Sequence, residues 1–309
     1  MTVEISVITC SHNPRPDYLK LVLDALRAQT LDKQRWEYLL VDSASEKPLA
    51  RQTEVCWHPN GRHIREGRLG LTAARLRGIQ ESTGELVVFV DDDNVLDPHY
   101  LELVVQQAAD WPEIGAFSGQ VRPQFEEPPS SWTRKYWNRL AIREFNTDRW
   151  SNIPCLDETT PNGAGLCVRR RVATEYLSYH ASGKRKFVLD RIGANLLSAG
   201  DLDLATTACD LGMGNALFSS LKLTHLIPRQ RVQEDYLLRL MEAQTFSAVI
   251  LGSFRSNGQV PMRASFRTAV ADRLRLAMME SRDRRFVLAA RKGARRAQQF
   301  LANGISSKL

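Results

Sequence analysis

The 309-residue sequence predicts an α/β protein in which a mixed, mostly parallel sheet is flanked by helices, and three observations predict it. Short β-branched or apolar runs alternate with amphipathic segments. Several runs are apolar throughout, as strands buried on both faces are. They end on polar residues, at the edge where an open sheet of this kind gathers its ligands. A helical appendage is expected to follow this main domain.

Residues 4–10 read as a β-branched strand. Behind a Pro-rich start, Leu19, Val22, Leu23 and Leu26 recur at helical spacing and predict a helix over 17–29. Residues 36–41 form a second strand that ends at Asp42. A helix opens near Gly70 and runs to about Ser82, and the apolar stretch 86–90 then stops at three aspartates. Pro98 starts another helix, 100–109, with Leu101, Val104, Val105 and Ala108 on one side. From Pro123 to Trp150 the pattern breaks into prolines, charges and aromatics. A long irregular segment in a compact domain is usually functional or mobile. Order returns at 165–168, in helices near 171–180 and 202–211, in a strand 221–225 and in a helix from about 229 to 241.

With 43% hydrophobic and 25% charged residues the composition is that of an ordinary globular chain, which excludes disordered and collagen-like classes. The longest apolar runs, 86–90 and 248–251, fall far short of the ~20 residues that cross a bilayer. Residues 1–8 have neither a basic n-region nor a small-residue cleavage site, so the chain is expected to open on a core strand. Five scattered cysteines without a C-x-x-C pair argue against a disulfide framework or zinc cage and for a reducing, cytoplasmic setting.

The net charge of +7 is concentrated at one end, because residues 262–309 hold twelve Lys/Arg against three Asp/Glu. There Phe266, Val270, Leu274 and Met278 recur every four residues, and Phe286, Ala290, Ala294, Ala297 and Leu301 form a second stripe among arginines. Basic amphipathic helices of this kind suit an anionic membrane surface at the inner face, a partner, or packing on the main domain. A pI near 9.3 raises nucleic-acid binding as an alternative class, but no helix-turn-helix, zinc-finger or RNA-recognition signature accompanies it, and no nucleic acid is expected. Gly67-Arg68-Leu69-Gly70 is not the G-x-G-x-x-G of a dinucleotide enzyme.

Asp91-Asp92-Asp93-Asn94 is the most informative stretch. Three adjacent carboxylates repel one another unless a cation or buried donors compensate. In strand geometry Asp91 and Asp93 share a face, forming a D-x-D pair. Mg²⁺ and Mn²⁺ that keep positions open for phosphate oxygens are held by one or two carboxylates in this way. A solvated acidic turn ahead of Pro98 is the plain alternative.

These residues, with others in order over about 4–240, resemble the GT-A fold glycosyltransferases of the family 2 type. Residues 6–13 are similar to the family's opening strand with its terminal Asn, here Asn13, with Thr9 in place of the usual Pro. Leu40-Val41-Asp42-Ser43-Ala44-Ser45 resembles the V-D-x-x-S turn, and residues 68–78 resemble the N-x-G-x-x-x-A-R-N-x-G helix with Arg68 and Leu76 at the two Asn positions. Residues 162–170, with Gly163 and Gly165, look like the glycine-containing strand near the donor sugar. Residues 199–205 resemble G-E-D-x-D-L, with Gly200 at the Glu position, and 223–228 resemble the segment that supplies a late histidine.

The resemblance implies an inverting, metal-dependent transfer of a sugar from a nucleotide-sugar donor, UDP-linked, to an acceptor hydroxyl in polysaccharide or glycoconjugate synthesis. Asp201 is implied as the base, with Asp203 in support. Thr9, Ser11, Asn13, Asp42, Arg75, Asp91, Asp92, Gly163 and Gly165 are implied to face nucleotide or donor. Asp93 and His225 are implied to hold Mn²⁺ or Mg²⁺. The acceptor is expected to be a glycan or lipid-linked, and the aromatic segment 123–150, whose Trp and Tyr faces can stack on sugar rings, is expected as a lid over it or as a flap over the core. The expected division is 1–252 as catalytic domain, with a nucleotide-binding half 1–122 and an acceptor half 123–252, and 253–309 as a basic helical extension. Nucleotidyl transfer on a related fold is the competing reaction, but His12-Asn13-Pro14-Arg15 poorly matches the phosphate loop it would need.

Overall fold

The computed structural model describes residues 3–185, 187–191, 193, 195–255 and 276–303. Strands β1 (Ile5–Ser11), β2 (Trp36–Ser43), β3 (Gly61–Glu66) and β4 (Leu86–Phe89) alternate with helices α1 (Pro16–Arg27) and α2 (Leu71–Glu81). Then come β5 (Asn94–Leu96), α3 (Tyr100–Asp110), β6 (Ile114–Phe125), β7 (Arg149–Ser151), β8 (Cys167–Arg169), α4 (Arg170–Ala181), α5 (Gly200–Asp210) and β9 (Gly214–Ile227). Two 22-residue helices, α6 (Glu234–Arg255) and α7 (Ser281–Ala302), complete the described chain. It divides into two compact units, Met1–Lys184 with Gly200–Val232, and Arg185–Ala199 with Gln233–Leu309. The sequence places the division at 252, whereas α6 belongs wholly to the second unit.

In the first unit the described strands form one nine-stranded sheet in the order β3-β2-β1-β4-β8-β6-β9-β5, with β7 also on β9. Pairing is parallel across β3, β2, β1 and β4 and between β6 and β9. It is antiparallel where β8, β5 and β7 join, so the sheet is mixed. Alternation along β1 explains the two apolar layers. Ile5 and Val7 join Leu40, Val88 and the α1 and α3 residues Leu19, Val22, Leu101 and Val104. Ile8 joins Leu39, Val41, Val87, Phe89 and the α2, α4 and α5 residues Ala74, Val172 and Leu204. All eight residues of β2 are buried, Glu37 and Asp42 included, and Tyr38 to Val41 form its apolar centre. Gly78 lets α2 press against this layer, since a Cβ there would lie 2.6 Å from Ile8 Cγ2.

A buried carboxylate ties the far end of this half together. Glu37 accepts from Ser6 Oγ at 2.7 Å, from the Thr83 amide and hydroxyl at 2.6 and 2.9 Å, and from Arg62 at 2.9 Å. Burial alone would raise its pKa, but these donors outweigh it and hold the group below the ordinary Glu value.

Elements that the sequence leaves undivided appear in the second half of the sheet. β6 extends through Phe125, and β9 is 14 residues long, starting well before residue 221. Their pairing shifts register near Ser118/Gln120, which hides the alternation that reveals a strand. Within 123–150, residues Ser131–Leu140 coil into a 3₁₀ segment, burying Tyr136 and Leu140. After β9 the chain makes a 3₁₀ turn, Arg229–Val232, before α6 begins, so the helix expected from 229 starts later.

In the second unit α6 and α7 pack together, with α7 burying Phe286, Gly293, Ala297 and Phe300. A Cβ on Gly293 would strike the Glu242 carbonyl, so glycine sets how closely the two helices approach. Phe300 lies 4.9 Å from Phe187 and 6.0 Å from Phe246 between ring centroids. Lys292 and Arg296 reach Glu242 at 2.9 and 2.7 Å. Phe286 and Ala297 of the second apolar stripe thus face inward, while Phe266, Val270 and Leu274 of the first lie outside the described residues. Among the described residues no helix is long and apolar enough to cross a membrane.

Candidate active site

The parallel strands set the location. α1 leads from β1 to β2 on one face and α2 from β3 to β4 on the other, so the order reverses between β1 and β4. A crevice at the carboxyl ends of the strands flanking such a switch point is where α/β sheets bind ligands. Ser11 ends β1 and Asp91–Asp93 follow β4, and the Ser11 hydroxyl donates to the Asp92 carboxylate across the gap. Burial and the neighbouring carboxylates Asp93 and Asp91 push the Asp92 pKa up to about 7, the Ser11 bond opposing them.

Asp93 lies directly beside β9. The β5/β9 register puts Asn94 opposite His225, and the Leu226 N–H donates to the Asp93 carbonyl at 2.8 Å. Asp93 Oδ2 and His225 Nε2 consequently stand 3.4 Å apart, both side chains nearly buried. Arg231, on the 3₁₀ turn, donates from Nη1 to that carboxylate oxygen at 2.9 Å and lies 3.1 Å from His225 Nε2. His225 Nδ1 is buried without a hydrogen bond.

These donors fit a divalent ion in type and number, one carboxylate and one imidazole with room left for phosphate oxygens, because such ions often take few protein ligands. The spacing suits two neighbouring coordination positions. No group of three or more His, Cys, Asp or Glu side chains able to hold a metal occurs among the described residues.

Asp201, in the first turn of α5, is held from both sides by backbone. The Gly163 N–H donates to its Oδ2 at 2.6 Å and the Leu202 N–H to its Oδ1 at 2.9 Å. A Cβ at residue 163 would come within 2.8 Å of Arg75 Nη2 and 3.1 Å of Asp201 Oδ2, so glycine keeps this corner open. Gly165 takes a left-handed φ of 65°, and its carbonyl accepts from the Tyr100 hydroxyl at 2.7 Å. The buried Arg75 guanidinium stands 3.9 Å from Asp91, linking this corner to the aspartates. Asp91, Asp92, Asp93, Arg75, Gly163, Asp201 and His225 therefore converge.

Three other candidates lie differently. Thr9 is fully buried within β1. Asn13, at a left-handed φ of 47°, shapes a turn by bonding Ser45 Oγ and the Glu46 N–H, both at 3.0 Å. Asp42 accepts from the amides of Ser45 and Leu49 at 2.9 and 3.0 Å and from Arg65. Burial works to raise its pKa, yet these donors leave it lowered. Arg65 spans this turn, donating to the Asp42 carboxylate and, from Nη2, to the Ser45 carbonyl at 2.8 Å, with a side chain 45% exposed. The sequence reading misses Arg65 and Arg231. Each is an unremarked arginine whose partner is distant in sequence, and only folding pairs them.

A family model described as Glycosyl transferase family 2 matches residues 6–168, more than half of the chain, from β1 into β8. The chain belongs to glycosyltransferase family 2. This family 2 chain is 29% identical over 111 residues to the putative glycosyltransferase EpsH of Bacillus subtilis, a stretch covering 35% of the chain and 31% of EpsH. Over 98 residues it is 34% identical to the glycosyltransferase AglE of Haloferax volcanii, 31% of each protein. A glucosyl-dolichyl phosphate glucuronosyltransferase of the same archaeon is 23% identical over 126 residues, 40% of each. The chain thus matches well under half the length of these curated relatives. The crystal structure of S. aureus TarS superposes with a TM-score of 0.53 at 15% identity, covering 96% of this chain and 55% of TarS. The family 2 chain has the GT-A fold.

Proposed function

We propose that the protein transfers a sugar from a UDP-linked donor to an acceptor hydroxyl with inversion at the anomeric carbon. The observation that carries this reading is the convergence of Asp91–Asp93 and His225 with a backbone-held Asp201 at the switch-point edge. Asp201 removes the acceptor proton as the oxygen attacks the anomeric carbon opposite the departing diphosphate, through an oxocarbenium-like transition state. The Gly163 amide aims that carboxylate. Arg75 braces Asp91. Asp93 and His225 would hold Mn²⁺ or Mg²⁺. The ion, when bound, supplies Lewis-acid stabilisation of the leaving phosphates.

A lipid-linked or glycan acceptor is part of the proposal, as is peripheral contact of the arginines of α7 with an anionic membrane. Thermal shift with UDP, UDP-sugars and Mn²⁺, singly and together, tests the donor reading. A rise in Tm with UDP plus Mn²⁺ beyond either alone is the expected result. Stabilisation by DNA or RNA alone would overturn it. Co-flotation with phosphatidylglycerol vesicles, lost when Arg284, Arg291 and Arg295 are changed to Glu, is expected for membrane contact, and flotation indifferent to that change would rule it out.

A further inference from the structure

Three polar atoms, two from one short segment and one far away in sequence, form a small triangle: Arg231 Nη1 to Asp93 Oδ2 at 2.9 Å, Arg231 Nη1 to His225 Nε2 at 3.1 Å, and Asp93 Oδ2 to His225 Nε2 at 3.4 Å. The guanidinium belongs to a 3₁₀ turn pinned by the Arg231 N–H on the Pro228 carbonyl at 2.9 Å, with its side chain 22% exposed. The carboxylate it meets is only 12% exposed and sits in a run of three. Without a countercharge, that carboxylate would carry a large desolvation and repulsion cost.

An ion bonded to both Asp93 and His225 at the ~2.1 Å typical of Mg²⁺ would lie roughly 1 Å to one side of the line joining them. On the side that Nη1 fills, ion and nitrogen would overlap. On the opposite side the ion would face a full positive charge only a few ångströms away, with nothing between them but the two ligand atoms. Arginine stays protonated, so it cannot become a ligand or shed its charge.

We propose that Arg231 is a built-in counter-cation for the Asp93–His225 pair, a positioning residue that holds the two ligands together before the metal arrives and must leave when it does. The inference rests on the metal reading above and deepens it. Ion entry and guanidinium release are one exchange, so the free protein binds the ion weakly. Donor diphosphate, which brings negative charge for both cations, strengthens it. The coupling is reciprocal: whatever factor UDP adds to Mn²⁺ affinity, Mn²⁺ adds to UDP affinity.

Mn²⁺ binding followed by electron paramagnetic resonance on the full chain, with and without UDP, tests this without any turnover. Arg231→Gln should bind Mn²⁺ without nucleotide at least tenfold more tightly than the parent, given the repulsion of a unit charge at such distances. The gain that UDP adds should shrink by a similar factor. Arg231→Lys, which keeps the charge, should stay near the parent and serves as the second variant if the glutamine form melts early. Asp93→Asn separates the two readings. If it leaves Mn²⁺ binding unchanged, the metal assignment itself is wrong. If it abolishes binding while Arg231→Gln binds no more tightly than the parent, the metal reading stands and the counter-cation role is overturned.

Discussion

On the parallel side of the sheet three buried carboxylates each meet a guanidinium supplied by the fold: Glu37 with Arg62, Asp42 with Arg65 and Glu66 with Arg68. On the other side Asp201 is held by the peptide N–H groups of Gly163 and Leu202, with no ion pair among the described residues. The contrast separates two uses of the same functional group. A carboxylate that fastens strands gains from a permanent countercharge, which depresses its basicity. In the proposed reaction Asp201 takes the acceptor proton, and its two peptide N–H partners fix the direction of the carboxylate without fastening it to another side chain.

The contrast predicts that substitution should separate the two groups by what they damage. The largest expected effect is on turnover. Asp201→Asn should lower kcat by ~10²–10⁴-fold while leaving donor affinity nearly intact, as for an interaction made mainly in the transition state. Steady-state kinetics with a defined acceptor would check this, and a larger loss from Asp203→Asn would move the base to that residue. A smaller effect, on stability alone, is expected at Glu37. Its folded pKa is depressed, so its contribution is complete above the ordinary Glu value of about 4.3 and is lost as the pH falls through the depressed value. Glu37→Gln should cost about 1–3 kcal/mol at neutral pH, and its urea-unfolding stability should fall less steeply than the parent's below about pH 4.3. Equal slopes would show that Glu37 fastens nothing.

The legibility of the fold follows the same divide. β1, β2 and β4 are buried almost throughout, so apolar and β-branched residues dominate their sequences and mark them as strands. β3, Gly-Arg-His-Ile-Arg-Glu, is a charged edge strand with Ile64 as its one buried aliphatic, and nothing in its composition distinguishes it from a loop. β6 and β9 carry register shifts, which erase strict alternation. At the site, the D-x-D spacing is visible because it is local. That His225 stands beside Asp93 depends on a strand register spanning 94 to 225, and spacing alone cannot disclose it. Arg231 was legible only as one more basic residue after Pro228, because its partner lies 138 residues away.

β9 is hydrogen-bonded along one edge to β6 and along the other to β7 and β5, so it is clamped over most of its 14 residues. Adding or deleting one residue inside its regularly paired stretch from Lys222 to His225 would turn the side chains beyond that point to the opposite face, His225 among them. The 126–148 stretch, bound by no such ladder apart from a single bridge between Val121 and Arg143, can change length without disturbing that register. Variation in this chain therefore has a natural outlet. Descendants that differ in the length of this stretch are reachable, whereas the regularly paired ends of β9 admit exchanges of side chains but not of length.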